Sequence, residues 1–155
     1  MKTLIFLLKT KILFLSLIVL TTTGSLFAQD QPFEDSVVIS RTDNNLQWGP
    51  CPEFMPAGCE IAVLHGDPAK KNADIFFKVP ANAQIPMHTH TSAERMVLVS
   101  GELEVTYEGE ESRILREGTY AYGPAKKPHK AKCGDSPCVL FIAFEEPVDA
   151  MAVKE

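Results

Sequence analysis

From residue 60 onward the chain consists of short apolar or alternating runs interrupted by turn residues, which limits it to a fold made of short strands. Gly, Pro, Asp or Asn separates most of these runs. After residue 28 no stretch has the periodicity of a helix of about ten residues or more. Strands are predicted at residues 61–65, 75–79, 95–100, 103–107, 112–115, 119–122 and 139–144. Many short strands at close spacing predict an all-β antiparallel sandwich or barrel.

The first 28 residues resemble a secretory signal peptide rather than part of a folded domain. Three lysines precede or flank an almost wholly apolar run at residues 12–20, and Leu26-Phe27-Ala28 supplies a small residue before the cleavage site. A retained membrane anchor is the alternative, but the apolar run is shorter than the roughly 20 residues that a spanning helix needs. We therefore expect an exported chain, periplasmic or secreted, that is free of the membrane after cleavage.

Cleavage also makes the chain more acidic. It removes three of the 15 basic residues and none of the 20 acidic ones, so the formal net charge changes from −5 to −8. Such a chain repels anionic membranes and nucleic acid, because a phosphate backbone attracts basic surfaces. We expect neither as a partner.

The four cysteines form two close pairs along the sequence, Cys51 with Cys59 and Cys133 with Cys138. Four cysteines allow three connectivities, and the sequence does not choose among them. In an exported chain oxidation is the expected state, and the turn residues between the members of each pair favour local disulfides. A four-thiolate zinc site is the alternative, although neither pair has the common C-x-x-C spacing.

Three histidines and one glutamate carry the strongest chemical signal. His88 and His90 stand two residues apart, so on a strand both imidazoles point to the same face. Glu94 follows four residues later, and His129 could join them from another strand. Three neutral imidazoles and one carboxylate suit a divalent first-row metal such as Fe, Mn, Zn, Cu or Ni. A lone histidine is more often an ordinary polar residue, but these four share a ligand-like spacing.

The spacing of these residues resembles the first motif of the cupin superfamily. That motif is G-x5-H-x-H-x3,4-E-x6-G, and His88, His90, Glu94 and Gly101 stand at its matching positions. Asn82 occupies the position of the leading glycine.

The second cupin motif, G-x5-P-x-G-x2-H-x3-N, is matched in part. Gly118, Pro124 and His129 agree with it, whereas Lys126 replaces its second glycine and Cys133 replaces its asparagine. Both departures fall at turn or supporting positions and leave the four expected metal ligands intact. The resemblance implies a double-stranded β-helix, or jelly-roll barrel.

The resemblance covers residues 46–146, which we interpret as one cupin domain. Residues 29–45 are predicted to be an irregular N-terminal extension with one short strand at 37–40, and residues 147–155 a C-terminal tail. Residues two and four positions after Glu94 share its face on a regular strand, and aromatic side chains could stack on a ligand. Candidate pocket residues are therefore Trp48, Met87, Met96, Leu98, Tyr120 and Tyr122, with core packing as the alternative.

For function, the resemblance implies one metal that acts on a small organic molecule, with dioxygenase-like oxidation as the first hypothesis. An isomerase or lyase would use the same ligands. Glu94 could ligate the metal or serve as a catalytic general base. A non-catalytic module that binds a small molecule or the metal is the alternative, and a purely structural barrel is a third hypothesis. A homodimer paired through sheet edges is a further expectation.

Overall fold

The fold is built from short strands joined by turns and loops. The computed structural model describes residues 34–154, and the residues from Val37 onward form one compact unit. The predicted signal peptide lies outside the described residues. The strands are β1 (Trp48–Pro50), β2 (Glu60–His65), β3 (Ala73–Val79), β4 (Gln84–Thr89), β5 (Glu94–Ser100), β6 (Glu102–Tyr107), β7 (Arg113–Arg116), β8 (Tyr120–Gly123), β9 (His129–Cys133), β10 (Cys138–Phe144) and β11 (Met151–Ala152). Between residues 34 and 154 no helix is long and apolar enough to cross a membrane.

The strands form two antiparallel sheets. One has the order β1-β2-β3-β10-β5-β8 and the other the order β11-β4-β9-β6-β7. Alternate side chains of both sheets are buried in a common apolar core, for example Ile75 and Leu98 from the first sheet and Leu103 and Val105 from the second. This arrangement confirms the prediction of an all-β jelly-roll barrel.

All seven predicted strands are present, with ends shifted by one or two residues. The sequence analysis placed His88, His90 and His129 on strands but gave no bounds for β4 and β9, because β4 contains Pro86 and the outward positions of β9 are lysines. It also lacked the three-residue β1. The predicted strand at residues 37–40 was wrong. That segment is irregular, and Val38 is 98% exposed, with no strand among the described residues to supply a hydrogen-bonding ladder. The stretch 147–155, expected to be a tail, contains β11, which pairs with β4.

Both disulfides connect near neighbours in the sequence. Cys51 is bonded to Cys59, and Cys133 to Cys138. All four cysteines are therefore paired, and a four-thiolate zinc site was the wrong alternative. The first disulfide closes a loop next to β2, and the second closes the turn between β9 and β10.

Gly101, between β5 and β6, occupies a turn that excludes any side chain. Its φ is +90°, and a Cβ atom there would lie 2.8 Å from the Pro137 carbonyl oxygen. Gly109 has a similar φ of +76° but open space around it. We expect Gly109→Ala to cost about 1 kcal/mol from backbone strain alone. Gly101→Ala should cost about 2 kcal/mol more because of the overlap. Urea unfolding of both variants measures this difference, and equal losses would contradict the steric argument.

Candidate metal centre

The two sheets bring the four predicted ligand residues to one point in the barrel. His88 on β4 pairs directly with His129, the first residue of β9. His90 follows the end of β4, and Glu94 opens β5 in the other sheet. All four side chains are buried. The i, i+2 spacing of His88 and His90 therefore gives the convergence that a strand predicts.

The ring nitrogens and carboxylate oxygens of these side chains lie close to one another. His90 Nε2 lies 3.3 Å from Glu94 Oε1, and His129 Nε2 lies 3.4 Å from Glu94 Oε2. One ligand atom from each of the three histidines lies within 4.8 Å of the others. One ion in the middle could reach all three imidazoles, with the Glu94 carboxylate beside two of them.

Backbone carbonyls fix which nitrogen of each imidazole carries the proton. His88 Nδ1 donates to the Pro86 carbonyl at 2.8 Å, and His129 Nδ1 donates to the Lys127 carbonyl at 3.1 Å. His90 Nδ1 donates to the carbonyl of Asp149. A carbonyl oxygen only accepts, so each Nδ1 holds a proton, and in the neutral form of each ring Nε2 presents a lone pair.

The site therefore places hydrogen-bond acceptors opposite each other in the protein interior. His90 Nε2 is fully buried and has no hydrogen-bond partner within residues 34–154. With a neutral His90 and an ionised Glu94, its close approach to Glu94 Oε1 brings together two acceptor atoms, which repel each other unless a proton or a metal ion lies between them. This orphaned nitrogen, with the donor chemistry of the three histidines, fits a divalent transition metal next to the Glu94 carboxylate.

Burial also sets the protonation of these groups. It lowers the pKa of His88 to about 4 and that of His129 to about 3, so both are neutral at pH 7, as metal ligation requires. Burial raises the pKa of Glu94, against a smaller lowering effect of His90.

These shifts predict how the stability of the metal-free protein depends on pH. Below about 6.5 the unfolded chain binds protons at His88 and His129 that the folded chain does not, so stability should fall as pH decreases towards 4. Each histidine contributes about 1.4 kcal/mol per pH unit in that window. Glu94 has the opposite sign, because its raised pKa favours folding at low pH. Two histidines against one carboxyl leave a net loss on acidification.

Urea unfolding of the metal-free protein between pH 4 and pH 7.5 measures this dependence. The double variant His88→Gln/His129→Gln is the control, since its curve should be flatter. A wild-type stability that is constant or rises on acidification would contradict the prediction.

A cavity of about 160 Å³ opens onto the four residues. Apart from them its wall is mainly apolar, with Met55, Ile75, Phe77, Met96, Leu140 and Phe144 among its members. None of the residues described as lining it is Lys or Arg. A cavity of about 150 Å³ is large enough for benzene, so this one fits a molecule of similar size.

Of the six candidate pocket residues, only Met96 lines the cavity. Leu98 has the right face but is wholly buried in the core. Tyr120 and Tyr122 point outward and are 59% and 53% exposed, because Ala121 and Gly123 occupy the inward positions of β8. Met87 alternates with His88 and therefore faces away from it. Trp48 lies outside the lining, with the Lys78 ammonium 4.2 Å above its ring.

The sequence analysis missed two stretches of the cavity wall. Pro52 and Met55 come from the loop that the first disulfide closes, and Val148, Asp149 and Ala150 come from the stretch expected to be a tail. The disulfide pair was the available hint for the first stretch. The second had none, because the Asp149 group that meets His90 is a backbone carbonyl.

Comparison with known proteins agrees with this geometry. A family model described as the ChrR cupin-like domain matches residues 36–148. The chain belongs to this cupin family. A curated relative of the cupin is dimethylsulfoniopropionate lyase DddQ from Ruegeria pomeroyi, 27% identical over 97 residues, which cover 61% of this chain and 48% of the relative. The cupin thus spans about half the length of the curated relative it matches.

Solved structures show the same fold at lower identity. The crystal structure of DddQ from Ruegeria pomeroyi aligns with a TM-score of 0.61 and 21% identity, covering 70% of this cupin and 61% of that chain. The polyketide cyclase RemF from Streptomyces resistomycificus aligns with a TM-score of 0.65 and 17% identity, covering 78% and 87%. A cupin-like protein from Thermotoga maritima gives 0.59 and 16%, covering 73% and 90%. At these identities the likeness concerns the fold alone.

Proposed function

We propose that this cupin is a metal-dependent enzyme that acts on a small organic molecule in its apolar cavity. One divalent transition metal would be held by His88, His90, Glu94 and His129. The observation that carries the proposal is the buried cluster of three histidines, in which each Nδ1 proton is engaged by a backbone carbonyl and one ring nitrogen of each histidine lies within 4.8 Å of the others. A structural barrel has no need of four such groups, whose burial costs free energy unless a cation compensates them.

The cavity wall indicates the kind of molecule that would bind. Its size suits a compact ligand of roughly benzene volume. The described wall holds no basic side chain that could pair with a second negative charge. We therefore expect a ligand with one oxygen group at the metal end and an apolar remainder along Phe77, Leu140 and Phe144.

A bound metal would supply Lewis-acid polarisation of an oxygen group and, if redox-active, oxygen activation. The chain's own part is to hold three neutral imidazoles, to exclude water with the apolar wall, and to place the Glu94 carboxylate beside the reacting group. Glu94 would ligate the metal or accept a proton from the ligand as general base. Dioxygenase-like oxidation is the first candidate reaction, since it needs no acid–base pair beyond these residues.

A lyase reaction is the second candidate, favoured by the name of the relative DddQ. Elimination needs a base near the ligand. Among the described residues that line the cavity, the only candidate base besides the four site residues is the Asp149 carboxylate. It already accepts hydrogen bonds from Thr91. Glu94 would then have to be the base.

The first experiment is elemental analysis of the protein purified after export and without a chelating tag. We expect about one equivalent of one transition metal. Iron, manganese or copper would lead to oxygen-uptake assays with small apolar carboxylates, ketones and phenols, and uptake would support oxidation. Turnover without oxygen uptake would support the lyase. A protein that contains no metal and takes up none on titration would overturn the metalloenzyme proposal and leave a non-catalytic binding module.

Export and assembly belong to the same proposal. The signal-like residues 1–28 and the two disulfides support an exported, periplasmic or secreted protein. The edge strands β1 and β8 offer unpaired backbone groups through which two copies could form a homodimer. N-terminal sequencing of the exported protein and its mass in solution test these two points.

A further inference from the structure

We propose that Asp149 is a positioning residue of the metal centre, and that it fixes both the second histidine and the turn leading to the glutamate. The inference rests on the proposed metal site and adds a residue outside both sequence motifs. Asp149 contributes three separate contacts. Its backbone carbonyl accepts the Nδ1 proton of His90, and its two carboxylate oxygens accept the N–H and the hydroxyl of Thr91.

These contacts act on residues 90–93, the turn that leads from His90 to Glu94. His90 begins the turn, and Glu94 follows it. The carboxylate of Asp149 fixes the residue after His90 at both its backbone N–H, at 2.8 Å, and its side chain. A shift of this turn would move His90 Nε2 and the Glu94 carboxylate relative to each other, and these are the atoms that now stand 3.3 Å apart.

Ser92 ties the same turn to the same segment from within the core. Its side chain is 1% exposed, and its Oγ accepts the N–H groups of Glu145 at 2.8 Å and Glu146 at 3.1 Å. The turn is thus held at two successive residues by residues 145–149. Asp149 supplies the part of this anchor that directly contacts a ligand residue.

The segment that carries Asp149 also forms part of the cavity wall. Val148, Asp149 and Ala150 line the cavity, and β11 pairs with β4 beside His88 and Thr89. A molecule that presses on this wall would therefore act on the group that orients His90. Hydrogen-bond partners behind metal ligands commonly change metal affinity by about 10- to 100-fold when they are removed.

The test measures metal affinity rather than turnover. Asp149→Ala removes both carboxylate contacts and leaves the backbone carbonyl free to shift. We expect its dissociation constant for Co²⁺, measured by chelator competition, to rise at least tenfold, with a changed Co²⁺ visible spectrum. Asp149→Asn keeps one carbonyl oxygen for the Thr91 N–H and should recover most of the affinity. Asp43→Ala is the matched control, since Asp43 accepts the Asn45 N–H in the same manner at 2.9 Å but lies outside the cavity wall.

A second variant distinguishes loss of this contact from a general folding defect. Thr91→Val keeps the side-chain shape and removes only the hydroxyl donor, so it should weaken Co²⁺ binding less than Asp149→Ala. The double variant should bind no more weakly than Asp149→Ala alone, because both changes break the same contact. Wild-type affinity and spectrum in Asp149→Ala and Thr91→Val would overturn this inference and leave the proposed function intact. A wild type that binds no Co²⁺ would overturn the proposed function and this inference with it.

Discussion

Alanine in place of His88 or His129 is expected to abolish stoichiometric metal binding while the barrel remains folded. Each substitution removes one of three imidazoles whose candidate ligand atoms lie within 4.8 Å of one another. A site that binds with four protein ligands derives its affinity from all of them, so we expect a loss of about a hundredfold or more. Elemental analysis after dialysis against a metal-free buffer measures the result, and thermal unfolding checks the fold.

His65→Ala is the matched control for both variants. His65 lies on β2, is exposed and does not belong to the cavity wall, so its removal should leave the metal content unchanged. Metal retained at one equivalent in both His88→Ala and His129→Ala would place the ion elsewhere. Loss of metal in the His65→Ala protein would indicate that general instability, rather than ligand removal, explains the result.

The fold was predictable because its signals are local. Runs of β-branched and aromatic residues between turn residues indicate seven of the strands. The bounds of β4 and β9 were not predicted, because Pro86 and the lysines of β9 are not typical strand residues. These residues occupy outward positions, where a charge or a missing N–H is tolerated. Residues 37–40 have the composition of a strand, but no neighbouring strand pairs with them among the described residues. Composition alone does not make a strand.

The candidate site was predictable only where sequence spacing determines direction. His88, His90 and the pair Glu94–Met96 follow the two-residue alternation, and the structure places all four around the cavity. For β8 the alternation was known but its phase was not, and the pairing of Glu94 with Gly123 sets it. The contact between Asp149 and His90 spans 59 residues and uses a backbone acceptor, so no residue type signals it.

Gly123 has no side chain, and this leaves room for the candidate metal centre. It pairs with Glu94 across β8 and β5, and it has no positive φ that would require glycine. A Cβ atom there would lie 2.6 Å from Tyr107 Oη and 3.1 Å from Glu94 Oε2. The ring of Tyr107 packs against His129 with ring centroids 5.0 Å apart, so the phenol cannot simply swing away. Sterics at the centre, rather than backbone conformation, explain the glycine.

Gly123→Ala is therefore expected to damage both stability and metal binding. Forcing a methyl group into this packed place should cost about 3 kcal/mol in the free energy of unfolding. The displaced Glu94 carboxylate should also weaken metal binding by about tenfold or more. Urea unfolding and metal titration measure the two effects. Gly49→Ala is the control, because a Cβ there would have its nearest neighbour, the Ile61 carbonyl oxygen, at 3.9 Å.

Removing the phenol oxygen should rescue the stability of that variant. Tyr107 Oη is buried and has no hydrogen-bond partner among the described residues, so Tyr107→Phe alone should leave the metal-free protein as stable or slightly more stable. In Gly123→Ala/Tyr107→Phe the 2.6 Å overlap is gone, and the next ring atom, Cε1, would stand at an acceptable 3.4 Å. Most of the stability should return, whereas metal affinity should recover only in part, because the methyl group still crowds Glu94 Oε2. Stability losses that simply add in the double variant would show that the two side chains do not compete for this space, and would contradict the steric explanation of Gly123.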